Sequence, residues 1–310
     1  MNSEESELKG TGTAEDPYQI GSAAALAEFR DKVNDGETTA NAVLTANIDL
    51  SEICSDEKDT SWTPIGNAQI VNGTTYKGTF DGQGHSVSGL YVAGSENAGL
   101  FGYIGSSGTV KNLRVSGSIT NTSNHTATGG GVVAINDGRI ENCCSSVTII
   151  ATATGNNVTV GGVVGLNAIG SSVTNCYNTG GVSGSGGVVG WNANGSVTNC
   201  YFLQTADVNK DLQGIGSGTG TATEKDDTAF HSGAVAYLLQ GNQATPVWGQ
   251  SNLNTPDSWP TLITLDKSTE TVYQVTLKYN HTGAQDKTIY TNGTEPDEPP
   301  IRDDGYVFVD

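Results

Sequence analysis

Gly161–Tyr177 reads GGVVGLNAIGSSVTNCY, and Gly186–Tyr201 repeats it almost letter for letter as GGVVGWNANGSVTNCY. Looser copies run Gly130–Cys143, GGVVAINDGRIENC, and Ala98–Leu113, AGLFGYIGSSGTVKNL. Aligned, the four share Gly, two apolar residues, a small residue, a polar turn, a β-branched residue and then Asn. Those asparagines are Asn112, Asn142, Asn175 and Asn199, at intervals of 30, 33 and 24 residues. Self-similarity at this period marks a stacked repeat. One copy cannot bury its own apolar face, so its stability comes from the next copy.

Outward from this stretch, the chain from Leu90 to Phe202 consists of short apolar runs such as Val163-Val164 and Val188-Val189, punctuated by Gly, Asn and Ser. Helix-length apolar patterns are absent there. The pattern predicts parallel strands of three to six residues joined by turns and wound in one direction. The fold expected is all-β: a right-handed parallel β-helix, or solenoid, with short capping helices and a small C-terminal β-module. Its domains are a flexible tail at 1–11, the β-helix with its end caps at 12–265, and a β-rich module at 266–310. Ser22–Lys32 has a capping Ser and an apolar stripe of Ala25, Leu26 and Phe29, which suits a lid on the open end. Ala42–Leu50 and Val87–Val92 read as strands. Asp227–Gln240 reads as a second helix, weakened by Gly233, that could cover the other end. Trp248, Trp259-Pro260 and Leu262 read as an apolar strap. Val272–Tyr279, Lys287–Thr291 and Gly305–Val309 read as strands of the last module.

The charge distribution excludes several partners. Of 310 residues, 14 are basic and 33 acidic, a net charge of −19. Between Leu90 and Thr205 the charged residues are only Glu96, Asp137 and Glu141 against Lys111, Arg114 and Arg139, a neutral middle between two acidic ends. No basic cluster suits a nucleic-acid backbone or an anionic membrane. There is no apolar run long enough to span a membrane, and no signal peptide is visible in this stretch.

The five cysteines, Cys54, Cys143, Cys144, Cys176 and Cys200, make neither a metal pattern nor an even disulfide set. Cys143, Cys176 and Cys200 share a repeat column with Leu113, which points to buried thiols serving as apolar plugs; stacked disulfides in that column are the rival reading. The Asn column has two readings: amides hydrogen-bonding along the stack, or exposed turns in left-handed geometry.

The units ending V-T-N-C-Y resemble the GLUG-type repeat of bacterial surface proteins, and the flanks GTAEDPYQI, WTPIG, FDGQGH and WP-T-L are similar to the usual surroundings of such repeats. The likeness departs at Ala134, where Gly stands in other copies, and at Asn112-Leu113 in place of Asn-Cys. Thr271–Asp310 resembles part of the small β-grasp repeat of Gram-positive surface proteins. The resemblance implies an extracellular, cell-surface module of a longer protein, non-catalytic and serving as a stalk or adhesin. GLUG repeats also accompany the peptidase unit of some immunoglobulin-cleaving metalloproteases, but that unit's H-E-x-x-H is absent here.

The rival function is a carbohydrate-active β-helix enzyme, a polysaccharide lyase or glycosidase, which needs clustered carboxylates. Asp81, Asp137 and Glu141 are the solenoid's candidates, and Lys111 with Glu141 in one column reads instead as a salt bridge between coils. Asp207–Asp211 mimics the start of an EF-hand loop but has Leu212 where Gly is required and Gly218 where Glu is required. His85, His125, His231 and His281 are scattered, so neither a metal nor a cofactor is expected. The binding candidates are aromatic. Tyr103 and Trp191 share a column with Ile135 and Leu166, while Tyr177 and Tyr201 share the column after Cys. Facing outward, these columns would stack on the sugar rings of a surface glycan or on a protein partner; facing inward, they would belong to the core.

Overall fold

The computed structural model describes residues 8–57, 60–66, 74–121, 126–151, 157–263, 271–277 and 287–292. The first seven residues, the strand expected at 305–309 with the Pro-rich stretch before it, His125 and His281 lie outside the described residues. The chain is mostly β and divides into two compact units, Met1–Asp227 and Thr228–Asp310.

The first unit holds two large sheets in which every named strand pair is parallel. One path runs through Tyr18–Ile20, Ala42–Leu44, Thr79–Asp81, Thr109–Asn121, Arg139–Ala151, Tyr177–Asn178, Cys200–Leu203 and Ala222–Lys225. The other sheet contains the run Phe101–Ile104, Val133–Asn136, Val164–Asn167, Gly186–Asn192 and Gln213–Gly218. The chain visits one sheet and then the other in each repeat, and each visit pairs with its counterpart one repeat away. Val133 therefore sits between Phe101 and Val164, and Val164 between Val133 and Val189. On the first sheet Val110 pairs with Phe80 and Ile140, and Val173 with Ile140 and Val197. These side chains point inward and are buried, each contributing about 1.5–3 kcal/mol.

Two strands, Thr109–Asn121 and Arg139–Ala151, run 13 residues rather than the expected three to six. The expected break falls at Asn112 and Asn142, which adopt φ of +52° and +50°. Both strands bend at the same rung, so pairing resumes at once with Leu113 beside Cys143. The strand expected at Ala42–Leu50 instead divides into Ala42–Leu44 and Ile48–Asp49.

Helix α1, Ala23–Asn34, forms where its apolar stripe predicted it, with Ser22 Oγ accepting from Ala25 N at 3.1 Å. Ala25, Leu26, Phe29 and Val33 are buried. Phe29 meets the rings of Tyr18, Tyr76 and Phe80 at 6.3, 5.9 and 5.8 Å, so the helix closes the apolar interior at this end. Ahead of it, Lys9 pairs antiparallel with Gln19 and Leu8 is buried, so pairing begins before Gly12.

From the boundary between the units onward the expected single helix is two, α2 at Asp227–His231 and α3 at Ala234–Gln240. Gly233 separates them at φ +91°, a left-handed geometry that no α-helix continues through. Of the residues expected to cover the end of the stack, Phe230, Val235 and Leu239 are buried while Tyr237 and Leu238 are only half-buried, and α3 lies in the second unit. The strap is an antiparallel pair, Trp248–Gly249 with Thr261–Leu262. Tyr273–Leu277 pairs antiparallel with Lys287–Thr291.

Candidate binding face

Paired glycines set how closely the two sheets approach. A Cβ on Gly162 would overlap the Asn178 amide and the Gly187 carbonyl, and one on Gly187 would overlap the Phe202 ring. Gly131 stands in the same relation to Ser145. Ser145, Asn178 and Phe202 are register partners on the opposite sheet, so the second Gly of each GGVV admits whatever side chain that column presents.

Two amide ladders then lock the rungs. Asn142 Nδ2 donates to Asn112 Oδ1 at 3.3 Å, Asn175 to Asn142 at 3.2 Å and Asn199 to Asn175 at 2.8 Å. Asn112 continues the chain to Asp81 Oδ1 at 3.0 Å. All four asparagines have φ between +50° and +54°, so the ladder and the left-handed turn are one arrangement. The second ladder is fully buried. Asn136 Nδ2 donates to Asn167 Oδ1, and Asn167 Nδ2 to Asn192 Oδ1, both at 2.8 Å, and Asn192 Nδ2 finishes on the carbonyls of Gly195 and Thr219. Its sequence signal was the Asn that ends each VVGLN-like run. Asn209, in the segment with EF-hand spacing, is a third device. Its side chain accepts from Val182 N at 2.8 Å and donates to Gly180 and Leu203 carbonyls, which ties coils together.

The cysteines are free and buried. Cys143 N donates to Cys176 Sγ at 3.4 Å. Burial pushes the Cys176 and Cys200 thiols well above the ordinary range, and pushes Cys144 up to about 11.

With the interior filled this way, the aromatic columns separate. Tyr103, Ile135, Leu166 and Trp191 stand side by side on consecutive strands, each between buried neighbours, and none of the four is itself buried. Trp191 is the most open, at 46% exposure. Tyr103 donates its hydroxyl to Asp137 Oδ2 at 2.6 Å. Burial, and then the Asp137 hydrogen bond and charge, raise its pKa to about 12. Asp137 as Tyr103's partner was not apparent from the sequence; its signal was its place immediately after the ladder residue Asn136. Tyr177 and Tyr201 are register partners on the other sheet, but both are buried. Tyr177 is in hydrogen-bond contact with Cys144, and Tyr201 donates to Asn199 Oδ1 at 2.7 Å. The outward face therefore combines Tyr103 with Trp191 and leaves Tyr177 and Tyr201 in the wall.

Charged groups on the other sheet also follow the register. Lys111 stands between Asp81 and Glu141, and it forms an ion pair with Asp81, at 3.4 Å, rather than with the Glu141 expected from the column. Both partners are partly exposed, so the pair adds little stability. Among the described residues no cluster of three or more His, Cys, Asp or Glu side chains could hold a metal ion. Nor is any helix among them long and apolar enough to cross a membrane.

No family model matches the chain. Over 135 residues it is 32% identical to a provisionally named Gly-rich membrane protein of Evansella cellulosilytica, a stretch covering 43% of this chain and 15% of that protein. Over 167 residues it is 34% identical to halomucin of Haloquadratum walsbyi, covering 53% of this chain and 2% of halomucin. Among solved structures it is similar to a provisionally named immunoglobulin A1 protease from Bacteroides ovatus, with 18% identity and a TM-score of 0.49 over 82% of this chain and 94% of that one. The chain is thus similar in sequence to short stretches of two much longer proteins, one named for its glycine content and membrane association.

Proposed function

We propose that this chain is a non-catalytic module of a longer cell-surface protein, with a right-handed parallel β-helix of GLUG-type repeats serving as a rigid stalk or adhesive segment. The observation that carries this reading is the unbroken register of repeat on repeat, in which residues one copy apart are partners on both sheets. Such a unit gains stability mainly from its neighbours, so it can be extended by adding copies, as a stalk requires. The sequence relatives support a surface setting, because one is named as a membrane protein and both are far longer than the stretch they share with this chain.

Two experiments test it. Removing residues 176–199, the 24-residue interval that separates Asn175 from Asn199, joins equivalent positions and is expected to leave a shorter, cooperatively unfolding β protein. Removing half that length puts the registers out of phase and is expected to abolish cooperative unfolding. If both deletions behave alike, the stacked-repeat reading is wrong. Release of soluble fragments from any polysaccharide in a degradation screen would overturn the non-catalytic reading in favour of a carbohydrate-active enzyme.

A further inference from the structure

We propose that the outward column Tyr103–Ile135–Leu166–Trp191 is a binding track for a neutral polysaccharide chain, an inference that rests on the reading of this unit as a non-catalytic surface module. The four side chains stand on consecutive parallel strands, so the track extends for ~14 Å at the usual strand spacing. That length suits an oligosaccharide lying along the stack rather than a single ring. A sugar ring offers flat C–H faces bordered by hydroxyls. The track has complementary chemistry, with an indole and a phenol at its ends and aliphatic side chains between them. At the Tyr103 end, the Asp137 carboxylate has one oxygen on the tyrosine hydroxyl, and its second oxygen is the acceptor that a sugar hydroxyl seeks.

Three observations select this occupant. The repeat region is neutral in sum, with Glu96, Asp137 and Glu141 against Lys111, Arg114 and Arg139 between residues 90 and 205, so it has no excess charge to hold an acidic or basic chain. The track lies on the face of a sheet whose strands at Val133–Asn136 and Val164–Asn167 are paired on both sides, so a peptide cannot join there as an added strand. Finally, partly exposed side chains of this size offer on the order of 200–300 Å², well short of the ~800 Å² per partner that a stable self-dimer needs.

The test uses the full chain in native affinity electrophoresis through gels containing soluble β-1,4-glucan, β-mannan or galactan, with polygalacturonate and hyaluronate as acidic comparisons. At least one neutral gel is expected to retard the protein independently of salt. Trp191→Ala is expected to weaken that retardation about tenfold, with its far-UV circular dichroism and cooperative thermal unfolding retained because the side chain lies outside the buried core. Fluorescence of the wild-type protein gives a second reading. Trp62 and Trp248 are buried and Trp259 is partly exposed, so the acrylamide-quenchable signal that W191A loses belongs to Trp191, and saturating polysaccharide is expected to shield that part of it. The proposal is overturned if no neutral gel retards the chain, if only the acidic gels do, or if W191A runs like wild type. Failure of the underlying surface-module reading looks different: sugar fragments are then released during the same incubations.

Discussion

Asn175 has φ of +54° and gives its amide to Asn142 while taking one from Asn199, so one residue carries both a backbone constraint and two rungs of a ladder. Left-handed geometry costs a residue other than Gly or Asn about 1–2 kcal/mol. Each buried or half-buried amide deprived of a partner costs about 1–3 kcal/mol. Asn175→Ala is therefore expected to destabilise the protein by about 2–4 kcal/mol in urea unfolding. Asn175→Gly keeps the backbone geometry and should recover roughly 1 kcal/mol of that loss. Full recovery in the Gly variant would mean that the ladder adds nothing, and no recovery would mean that the backbone term is negligible. The turn and the ladder were competing readings of this column in the sequence. They coincide because a left-handed bend at the same position of each of the four copies aligns the amides one above another.

At the scale of the element, the two glycines of GGVV matter more than their lack of side chain suggests. Gly162 sits where a methyl group would strike both a side chain and a neighbouring coil's carbonyl, and a backbone atom cannot swing aside. Gly162→Ala is expected to cost at least about 1–3 kcal/mol, the usual range for overpacking. Gly181 has open space around its Cβ position, and Gly181→Ala should stay within about 0.5 kcal/mol of wild type. Thermal midpoints of the two variants measure the contrast, and equal shifts would contradict the close-approach argument. Helix α1 was legible for a complementary reason. Its cap, its stripe and its end are local, and Phe29 needed only some apolar surface to cover. The split between α2 and α3 was less legible, because Gly233 could be tolerated in a helix or could end one, and the tertiary setting chose the latter.

At the scale of the whole molecule, buried phenols and thiols tie stability to pH. Burial raises the pKa of Cys144 from an ordinary 9.0 to about 11, and raises Tyr76, Tyr177, Cys176 and Cys200 well above their ordinary values. A raised pKa on an acid means that the folded state keeps protons which the unfolded state has released. The associated stability is thus complete below pH 9 and is lost as pH rises from 9 toward 11. The urea midpoint is expected to be flat between pH 7 and 8.5 and to fall steadily through pH 10.5. Cys144→Ala should reduce that slope. A midpoint independent of pH through 10.5 would show that these groups are not protected by the fold.

The sequence by itself determined the repeat, the columns within it, the helix at the N-terminal end and the neutrality of the middle. Stacking makes these legible, because a residue one repeat away in sequence becomes a neighbour in space, so alignment of copies is already a contact map. Tertiary structure alone decided which columns face out, that Tyr103 pairs with Asp137 across coils and that Lys111 bonds to Asp81 rather than Glu141. These depend on side-chain direction at each rung. The local course of each strand and its αL bend set that direction, departing from simple alternation where two adjacent residues such as Val188 and Val189 are both buried, and a column of aligned letters does not contain it.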